Sequence, residues 1–308
     1  MQGEGTAMKT ETLAKLACAY SGLVWGLFWI PIRALSDAGI HGLWATLFFY
    51  IVPFLLSLPL LILRWRHLVN GGLWLQVLGL VAAVSLVLYS ISVLYTDVIR
   101  ATLLFYLTPL WSTLLARLFL GESITPLRWL AMAIAILGML VIFHADAGIP
   151  LPEKPGDWIA LLSGFLWSVA SILLRVDKGS HALDLLAQNF IWSVFVALAF
   201  LLVFGPDLTT SPPVAVYLAQ LPWLVPTVLA VVMTGVYASM WGTPKLNPGL
   251  VGLLFMTEIS VGAITAALWS GDPFGWREVI GIILISGAGV LESLWEMWRR
   301  RGSAARAL

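Results

Sequence analysis

The sequence predicts an all-α polytopic membrane protein: ten transmembrane helices arranged as two inverted five-helix repeats. Three observations carry that expectation. Of the 308 residues, 60% are apolar and only 11% are charged, against about a quarter charged in soluble domains. The apolar residues come in runs of about 20, the length that crosses a bilayer as helix. The second half of the chain also repeats the first.

The runs fall between charges and turn residues at 13–35, 43–63, 73–95, 99–119, 126–143, 157–175, 183–204, 222–241, 249–269 and 276–297. None alternates with the period of two that an outer-membrane strand needs. The first run is too long for a signal-peptide core and lacks a clear cleavage site, so it counts as a helix. The chain thus divides into a cytoplasmic N-terminus (1–12), a first repeat (13–143), a periplasmic linker (144–156), a second repeat (157–297) and a basic cytoplasmic tail (298–308). Connections are short except 144–156 and 205–221, which leaves no room for a soluble domain. Orientation follows from Lys and Arg, which concentrate in cytoplasmic loops. With both termini inside, the outer connections hold only Arg33, Arg100, Lys154 and Arg277 of the 17 cations.

Net charge is +1, so no strong field recruits nucleic acid, and Arg299–Arg301 read as a stop after the Trp295 and Trp298 anchors. Mean hydropathy is +0.94. Cys18 is the single cysteine, and His41, His67, His144 and His181 are scattered, so neither a metal site nor a cofactor is expected. No nucleophile, base and acid share helical spacing, so an enzyme is not expected. No phosphate-binding Gly-Lys loop exists, which argues against direct use of ATP.

The repeat is visible residue by residue. Shifted by 150, Leu103, Leu104, Phe105, Ala116, Leu118 and Gly121 fall on Leu253, Leu254, Phe255, Ala266, Leu268 and Gly271, and Glu122 on Asp272. Shifted by 142, Ser21-Gly22, Trp25 and Arg33 fall on Ser163-Gly164, Trp167 and Arg175; shifted by 148, Tyr89 falls on Tyr237. Five helices per copy is an odd number, so the copies must have opposite orientations, an architecture of secondary transporters.

The first helix (YSGLVWGLFWIPIRAL), the stretch LTPLWSTLLARLFLGESITPLRWLAMAIAILGMLVIF and its counterpart LLFMTEISVGAITAALWSGDPFGWREVIGIILISGAGVL together resemble the EamA type of the drug/metabolite transporter superfamily. The second repeat of that family often has Glu-Pro where this chain has Glu258-Ile259. Within the superfamily the length, helix count and heavy Trp use look most like the YddG-type aromatic amino acid exporters. The resemblance implies a transporter of the bacterial inner membrane that exports small metabolites by alternating access, aromatic and other apolar amino acids first. Multidrug or purine-type efflux is the alternative within the superfamily, and a receptor or scaffold lies outside it. The implied partners are a small-molecule substrate and the bilayer; the sequence leaves oligomeric state open, with a monomer compatible.

Helix faces nominate the residues that line a path. Positions three, four and seven apart share a face. Trp25 and Trp29 lie on one stripe with Gly22, Gly26 and Arg33. Ser85 and Tyr89 lie with Ala82, Ser92 and Thr96; Tyr106 with Thr102, Pro109 and Thr113; Trp167 with Ser163, Gly164 and Ser171. Tyr237 shares a stripe with Ala230, Thr234 and Trp241. Asn189 lies inside the seventh run. Each aromatic is compatible with pocket lining or with packing, whereas Trp44 and Trp158, at span ends, read as interfacial anchors. Glu258 falls at the centre of the ninth run. An acid there costs roughly 2.5–3.5 kcal/mol on insertion scales, so it must face protein or water. It could bind a substrate ammonium, exchange protons, or bridge helices.

The cation bias makes a topology prediction. Tags at residues 2 and 306 are expected to be cytoplasmic and a tag at residue 210 external, read by impermeant labelling of intact cells. An externally reactive C-terminal tag would contradict the ten-span count.

Overall fold

The computed structural model describes residues 2–96, 101, 104–142, 152–177, 179–205, 211–269, 275–277, 279–288 and 291. All regular structure among them is helical: α1 (Gln2–Gly26), α2 (Trp29–Asp37), α3 (Gly42–Asn70), α4 (Gly72–Tyr95), α5 (Thr108–Leu120), α6 (Pro126–Ile142), α7 (Pro155–Val176), α8 (Ala182–Phe204), α9 (Val214–Thr227), α10 (Met233–Gly242), α11 (Pro248–Phe255), α12 (Thr257–Trp269) and α13 (Val279–Ala288). Among the described residues six helical segments are long and apolar enough to cross a membrane, and 126–141, 248–262 and 279–288 add shorter apolar helices. The expected linker 144–156 and tail 298–308 fall wholly or largely outside the described residues, as do Arg100, Thr102, Leu103, Gly271 and Asp272.

Three of the expected runs are broken inside, two of them four residues before a proline. Pro31 has no N–H for the Leu27 carbonyl and its ring crowds that oxygen. The chain breaks there, and the Leu27 carbonyl accepts from Ile30 N at 3.1 Å instead. Pro109 does the same to Phe105: the break falls at residues 106–107, and the Phe105 carbonyl takes the Thr108 hydroxyl at 2.5 Å. The third break, at Met256, lies 150 residues after Tyr106 and has no proline behind it. Here the Thr257 hydroxyl donates to the carbonyls of Leu254 (2.9 Å) and Ala19 (3.2 Å). Pro53 and Pro59 lie within continuous α3, whereas Pro222 and Pro226 precede a π-turn at Val228–Val232.

Packing between the halves repeats with the sequence offsets. α4 lies against α7 and α8, while α10 and the π-turn lie against α1 and α3; α5 meets α7, and α11 and α12 meet α1. Residue contacts obey the same rule. A side chain at Gly164 would collide with the Phe105 carbonyl, and one at Gly22 would come within 3.0 Å of the Phe255 carbonyl. Ser168 donates to the Thr108 carbonyl at 3.2 Å, and Gly26 abuts the Glu258 carbonyl. Small residues permit this approach of helix to broken backbone.

Gly164→Leu is therefore expected to destabilise the protein by about 1–3 kcal/mol or more through overpacking. Gly287→Ala, where an added methyl meets nothing within 4 Å, is expected to leave stability unchanged. Thermal unfolding in detergent distinguishes them; equal stability of the two variants would contradict the close approach.

Candidate functional site

The helix breaks meet around a central cavity. Its lining is Trp25 from α1, Leu86 and Tyr89 from α4, Phe105 and Tyr106 at the first-half break, Thr108 from α5, Trp167 from α7, Gly252 and Phe255 from α11, and Glu258 from α12. The free volume is about 20 Å³, room for about one water. The cavity in this conformation is thus nearly closed, far below the 300–1,000 Å³ of a typical occupied ligand site.

Much of the lining comes in offset-related pairs: Trp25 with Trp167, Phe105 with Phe255, and Thr108 with Glu258. The rings touch one another. Tyr89 and Phe105 have centroids 4.6 Å apart, and Trp167 and Phe255 5.8 Å. The polar contribution is small and uneven. Glu258 is 8% exposed and sits in the first turn of α12, where the positive end of the helix dipole offsets part of the cost of its charge, about 0.3–1 kcal/mol and up to ~2 when partly buried. The Tyr106 hydroxyl, fully buried, lies near enough to interact with the Glu258 carboxyl without hydrogen-bond geometry to any partner.

Of the residues nominated from sequence, the structure brings Trp25, Tyr89, Tyr106, Trp167 and Glu258 together. It places the other four elsewhere. Trp29, displaced by the break before Pro31, donates to Thr265 Oγ1 at 3.1 Å, with the Arg33 guanidinium 5.9 Å above its ring. Ser85 closes a reciprocal clasp: its hydroxyl donates to the Ser163 carbonyl at 2.9 Å, while the Ser163 hydroxyl donates to the Ser85 carbonyl at 2.7 Å. Asn189 is 0% exposed in α8, and neither side-chain polar atom is hydrogen-bonded among the described residues. Tyr237 is 36% exposed. Its stripe, Ala230 and Thr234 included, faces outward, because the opposite face carries Gly235 and Gly242, which abut Val24 and Cys18 of α1. Trp44, expected as an interfacial anchor, is partly buried against the core.

Leu86, Phe105, Thr108, Gly252 and Phe255 were not nominated. The identity of Phe105 and Phe255 in the repeat was the available signal, and Thr108 was reachable as the counterpart of Glu258. Among the described residues, no group of His, Cys, Asp or Glu could hold a metal ion. A separate groove of about 430 Å³ lies between α3, α4 and α8, lined by Leu61, Trp65, Gln76 and Gln188 among others.

Comparison with known proteins agrees with this architecture. Residues 12–144 match the EamA-like transporter family. The chloramphenicol-sensitive protein RarD of Pseudomonas aeruginosa is 26% identical over 249 residues, 79% of each chain. A riboflavin transporter of Rhizobium johnstonii is 29% identical over 160 residues, 49% of this chain and 48% of its own. The uncharacterized transporter YojE of Bacillus subtilis is 28% identical over 198 residues, 61% of this chain and 63% of its own. A protein of known crystal structure superimposes with a TM-score of 0.70 at 18% identity, covering 92% of this chain and 96% of that one, a likeness of fold. The chain is thus similar to EamA-like transporters over residues 12–144 and to bacterial proteins named as transporters over longer stretches.

Proposed function

We propose that the protein is a secondary transporter that exports small amphipathic metabolites from the cell, aromatic and other apolar amino acids first, by alternating access of two inverted five-helix repeats. The observation that carries the reading is one carboxyl, Glu258, set among stacked aromatic rings on offset-related positions at the meeting of the helix breaks. Planar, partly apolar solutes suit such a lining, since offset or tilted ring pairs add about 0.5–1.5 kcal/mol each beyond burial. Glu258 supplies the partner for an ammonium group. Among the described residues no Lys or Arg lines the cavity, so a substrate carboxylate rests on the Tyr106 hydroxyl and the positive N-terminal end of α5. The inverted repeat draws support from the recurrence of the Gly22–Phe255 contact as Gly164–Phe105.

A second reading, efflux of planar heteroaromatic compounds, is favoured by the relative named as a riboflavin transporter. Such solutes use the rings and have no need of the carboxyl.

Flux into liposomes separates the two. Saturable, counter-solute-stimulated flux of labelled aromatic amino acids is expected. Glu258→Gln is expected to weaken amino acid transport roughly ten- to hundredfold, the worth of a charge-assisted hydrogen bond, while sparing neutral aromatic analogues. Trp167→Ala and Tyr89→Ala lower flux of both classes; Trp158→Ala, an exposed ring, and Tyr237→Ala leave it unchanged. Flux that is indifferent to Glu258 and confined to neutral heteroaromatics would favour the second reading. No mediated flux of any solute in the panel would contradict both.

A further inference from the structure

Below the cavity, toward the end that the cation bias assigns to the cytoplasm, the chain is closed by a seam and a polar contact. The seam joins α5 to α11. Gly252, a cavity residue, brings its Cβ position within 2.9 Å of Pro109 Cα, and one turn further down Gly249 packs on the Thr113 hydroxyl with Arg128 Cδ 3.3 Å away. Neither glycine has room for a side chain, so α11 packs closely on α5, against the Pro109 backbone at Gly252 and the Thr113 hydroxyl at Gly249. At the bottom of the seam Arg175, in the last turn of α7, reaches across both halves. Its Nε lies 3.8 Å from Glu122 Oε1, just past the end of α5, and its Nη1 donates to the Pro244 carbonyl at 3.0 Å, in the 3-10 turn that leads into α11.

Resting on the transporter reading above, we infer that Arg175 is the latch of a cytoplasmic gate: it ties the Glu122 and Pro244 ends of the α5–α11 seam together, and its release lets the seam part and opens the cavity inward. The geometry has the properties a latch needs. Arg175, Glu122 and Pro244 stand at one end of α7, α5 and the turn into α11, which carry Trp167, Thr108 and Gly252 to the cavity, so a small parting there widens the route to Thr108 and Gly252. Gly121, at φ 65° in the left-handed region that glycine tolerates, ends α5 and turns Glu122 back toward Arg175. The contacts are also weak enough to cycle. Arg175 and Glu122 have side chains 36% and 24% exposed, and such pairs contribute little. Arg175 sits at a helix C-terminus, where its charge is favoured in either state, so the latch can open without stranding the arginine. One Glu122 oxygen, Oε2, is buried without a hydrogen-bond partner among the described residues, so Arg175 holds the carboxyl through its other oxygen alone.

The test uses the full chain with Cys18→Ala and a reporter at the cavity wall, Thr108→Cys. The rate of reaction with a membrane-impermeant maleimide is measured from each face, in inside-out and right-side-out vesicles. Glu122→Gln is expected to speed labelling from the cytoplasmic face about two- to fivefold. Arg175→Gln, which removes both contacts, is expected to exceed it, and Arg175→Lys to fall between it and the parent. Labelling from the external face stays constant or slows. The latch is overturned if all three variants label from the cytoplasmic face at the parent rate, or if labelling rises equally from both faces, which is general loosening. Should Arg175→Gln fail to accumulate, the other two variants decide. Labelling needs no solute. A response to these variants without flux of any solute would therefore sink the transporter reading and keep the latch, and flux with flat labelling would do the reverse.

Discussion

Two glycines pressed against two broken helices set the terms for everything else. Gly22 and Gly164 have no side chain, so α1 meets the Phe255 carbonyl and α7 meets the Phe105 carbonyl. In hydrocarbon an unpaired backbone group is costly, so an interrupted helix is tolerated only where protein encloses it. The glycine-bearing helices supply that enclosure, and serine and threonine hydroxyls pair with neighbouring carbonyls, Ser168 with Thr108 and Thr257 with Leu254.

Once the breaks are enclosed, the chemistry follows. A break turns one long helix into two short ones and creates a new helix N-terminus in the middle of the protein, with its positive end inward. Glu258 stands in the first turn of one such helix, and Thr108 at the first position of the other. An acid that would be expensive in a continuous helix is thereby partly compensated. The rings of Trp25, Tyr89, Phe105, Trp167 and Phe255 fill the space between the breaks. The cavity is small because those rings meet each other; admitting a solute means moving them apart, and hence moving the breaks that carry them.

The helical class and the offsets were readable from hydropathy and from repeated letters. Two of the breaks have a visible source, Pro31 and Pro109, each four residues after the carbonyl left without its amide, at Leu27 and at Phe105, although Pro53 and Pro59 leave α3 continuous. The Met256 break was hidden: Ile259 stands where proline would have signalled it, and hydroxyl bonds to Leu254 and Ala19 carry the geometry instead. Face direction was the other limit. Periodicity gathers Thr234 and Tyr237 onto one stripe but cannot say which way the stripe points, and hydroxyls are a poorer guide than glycines. Gly235 and Gly242 turned that helix toward α1 and sent Tyr237 outward. Ser85 shares its stripe with Tyr89 and was expected to line the path, but its hydroxyl donates to the Ser163 carbonyl instead. Asn189 shows that a buried polar residue need not reach the cavity.

The account stands or falls on where a solute sits. The most direct measurement is a cryo-electron microscopy structure with a bound aromatic amino acid. The account predicts its ring between Trp25, Tyr89 and Trp167, with the ammonium on Glu258 and the helix breaks displaced to make room. Ligand density in the groove lined by Trp65 and Gln188, with the central rings still in contact, would contradict it.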